Sequence, residues 1–264
     1  MKKFLLGSAL LAAAIAGPAM AADMPVKVKA APPVVVYDWS GVYMGFGVGY
    51  NWQNFDWAFN PPLPINPNQS FSIDTDSWIV DGHGGMQAQF GQFVIGAEAS
   101  YSVTSNRWAG QLCPNLTLSC QARVLELFTG GGRIGWSPIS YDTLLVYAAG
   151  GYAAGLAETR VVRISTGLEP LDEHTNAWHH GWYAGGGFDW MVHKGALVDV
   201  ILGFEYRHVE LDTKFHCEPA TCNLVNAVNR DLDPTMDIVR ARLTIKTKGW
   251  GIFLDPAPKV VAKY

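Results

Sequence analysis

Beyond its N-terminus the sequence has no apolar run long enough for a membrane-spanning helix, which needs about 20 such residues. The longest uncharged run within a candidate strand, Thr143 to Ala157, is shorter than that and is interrupted by Gly150, Gly151 and Gly155. Charge is also scarce: Asp, Glu, Lys and Arg make up 16% of the chain, against about 25% in ordinary soluble domains. A basic excess is missing. The 19 Lys and Arg face 23 Asp and Glu, a formal charge of −4, so nothing electrostatic favours a nucleic-acid partner. The cysteines are limited to Cys113, Cys120, Cys217 and Cys222. Neither close pair has the two-residue spacing of a zinc knuckle, and in an exported chain local disulfides 113/120 and 217/222 are the natural pairing, with other connectivities formally open. No Gly-x-Ser-x-Gly motif is present. His83, His174, His179, His180, His193, His208 and His216 are scattered over strands, loops and turns, so no nucleophile with a positioned base is legible and the chain is not expected to be an enzyme.

What the sequence does have is 28 glycines, 12 Phe, 10 Trp and 10 Tyr, ordered along the chain. Lys2 and Lys3, an apolar stretch from Phe4 to Ala16, and Ala19-Met20-Ala21 form a secretory leader, read as a signal peptide over residues 1–21. Residues 22–38, with Pro25, Pro32, Pro33, Lys27 and Lys29, read as a flexible periplasmic lead-in. From Gly41 to Trp52 the even positions carry Val42, Met44, Phe46, Val48, Tyr50 and Trp52, while the odd ones carry Tyr43, glycines and Asn51. A period of two is a strand, and aromatics at both ends of an aliphatic stripe suit a lipid-facing wall.

Seven further strands are expected: about Trp78 to Gln89, Phe93 to Val103, Ala122 to Trp136, Thr143 to Ala157, Trp178 to Val192, Val198 to Arg207, and one around Val239 to Thr247. In the strand from Ala122, Arg123 and Arg133 are assigned to one face and Val124, Phe128 and Ile134 to the other, with Glu126 breaking the pattern. The faces of the strand from Thr143 are ambiguous. Connections alternate long and short, with long loops at 54–75 and 158–176 among them. That asymmetry predicts an all-β fold, an eight-stranded antiparallel transmembrane up-and-down β-barrel over residues 39–247, with short periplasmic turns, long external loops and a C-terminal tail at 248–264.

The inward positions then include Asp81, Glu98, Arg133, Asp189, Asp199, Glu205, Arg207, Arg240 and Arg242. An eight-stranded barrel is only wide enough for side chains to fill, so these charges should pair into a rigid plug. A narrow ion path along them is the sharper alternative. His174, His179 and His180 near an external strand end could hold a metal or haem, with a solvated loop end as the default. Gly130-Gly131-Gly132 and Gly185-Gly186-Gly187 are read as strand glycines that relieve crowding, not phosphate loops.

Tyr37-Asp38-Trp39-Ser40-Gly41-Val42-Tyr43-Met44-Gly45, then Gly91-Gln92-Phe93-Val94-Ile95-Gly96-Ala97-Glu98, Gly132-Arg133-Ile134-Gly135-Trp136 and Leu145-Val146-Tyr147-Ala148-Ala149-Gly150-Gly151 resemble, in that order, small alphaproteobacterial outer-membrane β-barrel proteins with an OmpA-like transmembrane domain. The resemblance implies an outer-membrane protein, exported through the periplasm and inserted by the barrel assembly machinery among lipids and lipopolysaccharide. Such barrels usually end on an aromatic that closes the last strand, whereas here Lys248 to Tyr264 follow it. Some relatives are haem binders, but no matching residue motif carries over. The expected role is structural and surface-exposed, in envelope integrity and loop presentation, without a cofactor and with any extracellular ligand held by the loops. The alternative is a narrow porin-like channel or an uptake protein for haem or a small solute.

Overall fold

In the computed structural model the described residues are 37–59, 70–105, 107–113, 118–167, 174–217 and 229–248. They form β1 (Gly41–Phe59), β2 (Ser70–Phe90), β3 (Phe93–Thr104), β4 (Ala109–Leu112), β5 (Leu118–Trp136), β6 (Leu144–Arg163), β7 (His174–Lys194), β8 (Val198–Leu211), β9 (Lys214–His216) and β10 (Arg230–Thr247). Eight of them run antiparallel around a ring in the order β1-β2-β3-β5-β6-β7-β8-β10. β10 closes it on β1, from Tyr43 opposite Lys246 to Phe59 opposite Arg230. Closure is what lets strands cross a bilayer, because no backbone edge is left facing lipid. Among the described residues no helix is long and apolar enough to cross a membrane.

The two short strands are additions to the expected eight. β3 pairs with β5 only as far as Glu126, and beyond it β4 takes up the same side of β5, with Ala109 opposite Ala122. Likewise β8 leaves β10 at Thr235, and β9 continues the sheet with His216 opposite Arg230.

Connections at one end are tight. Gly91 and Gln92 join β2 to β3, and Gly91 has φ +65°, a left-handed conformation that favours glycine. A single 3-10 turn, Ile139–Tyr141, lies between β5 and β6. The long connections all lie at the other end, which makes it the external one.

Val42, Met44, Phe46, Val48 and Trp52 of β1 point outward and are exposed, as are Trp78, Val80, Met86 and Phe90 of β2 and Leu202, Phe204 and Tyr206 of β8. From Val42 to Trp52 the strand advances about 33 Å at roughly 3.3 Å per residue. Tilted by about 40°, that spans about 25 Å, the height of a barrel's apolar band.

The strands do not stop at that band. Residues 54–75, expected as a loop, contribute the end of β1 to Phe59 and the start of β2 from Ser70, and their prolines Pro61, Pro62, Pro64 and Pro67 lie outside the described residues. The connection expected at 158–176 is strand through Arg163 and again from His174. In these extensions the inward residues become apolar: Phe55, Trp57, Phe59 and Ile73 are buried. Outward positions turn polar, as with Asn54, Asp56 and Asp74, whose pairing puts Asn54 opposite Asp74 and Asp56 opposite Ser72. The polarity of the two faces reverses while the strand continues.

The expected faces of β5 need one correction. A β-bulge between Val124 and Glu126 advances the chain by one extra residue, which swaps the faces on either side. Val124 is therefore inward and fully buried, together with Ala122 and Leu127, and Arg123 does not share the face of Arg133. β6 resolves as Leu145 and Tyr147 inward, Val146 and Tyr152 outward.

Candidate functional site

The barrel interior is stacked in three layers. At the short-turn end Tyr37, Trp39, Val94, Leu145, Met191 and Ile201 form an apolar cluster. Tyr37 and Asp38, expected within the lead-in, are thus bound into the barrel mouth; residues 22–36 lie outside the described residues. Trp39 Nε1 donates to Ser137 Oγ and to the Asp142 carbonyl, both at 3.1 Å, and Tyr37 OH donates to Asp199 Oδ2 at 2.8 Å. Lys246 Nζ donates to the carbonyls of Asp38 at 3.1 Å and Ser40 at 3.2 Å. The chain entering β1 folds across the opening and is tied to the β5–β6 turn, the start of β8 and the end of β10.

All nine charged residues singled out from the sequence are buried, and eight of them form the middle layer; Asp199 lies on the short-turn side of Ile201, at the mouth. Glu205 is the layer's centre. It accepts from Arg207 Nη2 at 2.7 Å and Arg240 Nη2 at 2.9 Å, from Arg242 Nη1, and from Tyr147 OH at 2.8 Å. Arg242 reaches on to Glu98 at 2.6 Å, Arg240 to Asp81 at 2.9 Å, and Arg133 to Asp189 at 2.7 Å. Asp199 stands apart, paired at the mouth with Lys246 at 3.5 Å. Four carboxylates, Asp81, Glu98, Asp189 and Glu205, meet four arginines, Arg133, Arg207, Arg240 and Arg242, so the layer is electroneutral. A neutral, mutually paired set is the arrangement in which buried charges offset their own desolvation.

Tyr43, Tyr147, Tyr183 and His83 complete this layer and, like Lys246 at the mouth, were not among the nine. Tyr43 OH donates to Glu98 at 3.0 Å, the Arg133 guanidinium lies 3.9 Å over the Tyr147 ring, and that of Arg207 lies 4.5 Å over Tyr183. His83 bridges Asp81 at 3.0 Å and Thr244 at 2.9 Å. Their signal in the sequence was inward parity alone. Glycines make the room: a Cβ at Gly47 would strike the Asp81 carboxylate, one at Gly203 that of Asp189, and one at Gly85 the Tyr43 hydroxyl.

The third layer fills the external extension. Phe55, Trp57, Phe59, Ile73, Leu127, Leu211, Leu232 and Met236 belong to one buried apolar cluster. The charged layer is thus capped by hydrophobic packing at both ends.

Cys113 and Cys120 form a disulfide between the end of β4 and the start of β5. Cys217 is disulfide-bonded as well, and Cys222 lies outside the described residues. The three histidines considered for metal or haem do not converge. His174 turns to Trp108, 5.8 Å between ring centroids, and His180 faces outward against Tyr152, while His179 is buried inside. Among the described residues no group of three or more metal-ligating side chains occurs.

A closed ring of eight strands with a lipid-facing apolar band and a polar, filled interior defines an eight-stranded outer-membrane β-barrel. The chain is 27% identical over 259 residues to the 31 kDa outer-membrane immunogenic protein of Brucella melitensis, with 94% of this chain and 100% of that protein covered. The protein of the same name from Brucella suis matches equally. Among solved structures it is similar to Ail, the attachment invasion locus protein of Yersinia pestis, at 9% identity over 76% of this chain and 99% of that one, with a TM-score of 0.35. It is also similar to the outer membrane protease OmpT of Escherichia coli, at 7% identity over 80% and 98%, with a TM-score of 0.42. No protein-family profile matches the chain. Its location is the outer membrane.

Proposed function

We propose that this protein is a closed, non-conducting barrel of the OmpA-like kind, with a structural role in the envelope and in presenting its external loops. The observation that carries this reading is the electroneutral charged layer sealed between two apolar clusters. An ion path needs charges that exchange partners with a passing ion, and here each carboxylate is engaged by fixed cations. Loop presentation is supported by the name of the Brucella relative, an immunogenic outer-membrane protein, and by the disulfide that pins the β4–β5 hairpin. In this reading residues 1–21 are removed on export, 22–38 lead from the periplasm to the sealed mouth, and the barrel assembly machinery inserts the chain among lipids and lipopolysaccharide. The chain does no catalysis in this role.

Single-channel recording of the refolded mature protein in a planar bilayer tests it. A silent barrel that keeps heat-modifiable migration on a gel is the expected result. Steady ion-selective openings that change when Glu205 or Arg240 is neutralised would refute it.

A further inference from the structure

Two histidines face each other inside the external extension, apart from the charged layer. His179 of β7 is 0% and His216 of β9 1% exposed, and their Nε2 atoms are 2.8 Å apart. His179 Nδ1 lies 2.9 Å from the Asp212 carbonyl. A carbonyl only accepts, so that nitrogen carries hydrogen, and in the neutral ring Nε2 is left with its lone pair. His216 must then offer Nε2–H across the 2.8 Å gap, which makes its own Nδ1 an acceptor. Thr175 Oγ1, 2.9 Å away, supplies the hydrogen. Thr175 lies 3.3 Å from Thr159 Oγ1, which accepts from Arg230 Nε at 2.9 Å and Nη2 at 2.7 Å. One directional chain therefore runs from the Arg230 guanidinium through two hydroxyls and two neutral imidazoles to a backbone carbonyl. It runs in this direction only while both rings are neutral: a further proton on His179 Nε2 sets two N–H groups head to head, and one on His216 Nδ1 displaces the hydrogen that the Thr175 hydroxyl offers it.

Among the described residues no carboxylate forms an ion pair with either ring; Asp233 favours a charge on His179 from further off, and Lys214 and His180 oppose it. From β10 comes Arg230, and from β9 Lys214, whose Nζ donates to the Trp178 carbonyl at 2.8 Å. β1 contributes Trp57, 4.8 Å from the Arg230 guanidinium. Glu158 of β6 pairs with Arg123 at 2.6 Å, and His174 of β7 lies on that same outer side. His180 faces outward to Tyr152, and Asp231 and Asp233 line a depression on the outer wall with Asp56. Asp212 presents its carbonyl. A metal ion in place of the shared hydrogen would meet the same cations with, among the described residues, two imidazole ligands.

We propose that the His179–His216 pair is an acid-release latch, in which uptake of a proton breaks this chain and frees β9 and Cys217 from the external mouth of the barrel. Burial, then His179 and Arg230, push His216 down to about 3, and burial likewise lowers His179. Both lie below the ordinary value of 6.5, so the latch is at full strength above about pH 6.5 and weakens as pH falls from there towards 3. Once released, each histidine adds up to about tenfold per pH unit to the open population.

Amide hydrogen exchange on the refolded full chain, corrected for the intrinsic pH dependence of exchange, tests this. Between pH 7.5 and 5.0 the protection of β9 should drop at least about tenfold, while β4, pinned by its disulfide and free of histidine, changes less than about twofold. His216→Gln, refolded and checked by heat-modifiable migration, should flatten the β9 response. A β9 protection steady across this range in the unmodified protein would overturn the latch, as would a glutamine variant that keeps the full loss. Imidazole 15N NMR of the unmodified protein needs no variant. Rings that take up protons together with β9 opening support the latch, and rings that charge while β9 stays protected refute it.

Discussion

The membrane band and the external extension are built from the same strands with opposite polarity. Along β1, Phe46 faces lipid and its neighbour Gly47 leaves room for a buried carboxylate; a few residues on, Asp56 faces water and Trp57 fills the interior. Neither stretch slips register, since the β1–β10 pairing is unbroken from Tyr43 to Phe59. The difference teaches that in one continuous strand the solvent on the outside decides the filling within. In lipid the outer face is already apolar, and polar groups left inside must satisfy one another. Above it, water takes the polar residues and the interior becomes an ordinary hydrophobic core.

The comparison can be broken at either region. The largest effect is expected from Glu205→Gln, which leaves Arg207, Arg240 and Arg242 without their shared charge. Removing one partner of such a buried set costs about 3–5 kcal/mol, read as lost stability in urea unfolding from liposomes. Trp57→Ala should cost about 3–5 kcal/mol as a cavity, but locally: exchange protection of residues 53–59 drops while the gel-shift signature of the band persists. Phe46→Arg, near the middle of the band, should cost about 2–4 kcal/mol. Reducing Cys113–Cys120 should cost about 2–3 kcal/mol, as expected for so short a closed loop, with the effect confined to β4. Asp56→Arg, on the same face of the same strand as Phe46, should fall within about 0.5 kcal/mol of wild type. The contrast between these last two arginine substitutions is the sharpest form of the comparison.

The band was legible in the sequence because its outer stripe is long and uniformly apolar: Val42 to Trp52 and Val198 to Tyr206 show their period directly. The nine interior charges followed from parity; the structure brings eight of them into one layer and leaves Asp199 at the mouth with Lys246. The extension was not legible as strand. Where the apolar positions change from even to odd, as between Trp52 and Phe55, a search for one lipid-facing stripe sees the pattern end, and the nearby prolines of 60–69 reinforce that impression. In β5 the bulge next to Glu126 hid the faces of Arg123 and Val124 in the same way. The histidine pair was out of reach, because His179 and His216 meet only through the return of β9 to the barrel mouth, which no local spacing encodes.

The most direct test is a nitroxide scan of the outward positions of β1, from Val42 to Ala58, in the protein reconstituted into bilayers. The account predicts labels at 42 to 52 that are accessible to oxygen and shielded from a water-soluble nickel relaxant, with the preference reversing between Trp52 and Asn54 and staying reversed through Ala58. Oxygen accessibility continuing undiminished to Ala58 would place the extension in the membrane and contradict the account.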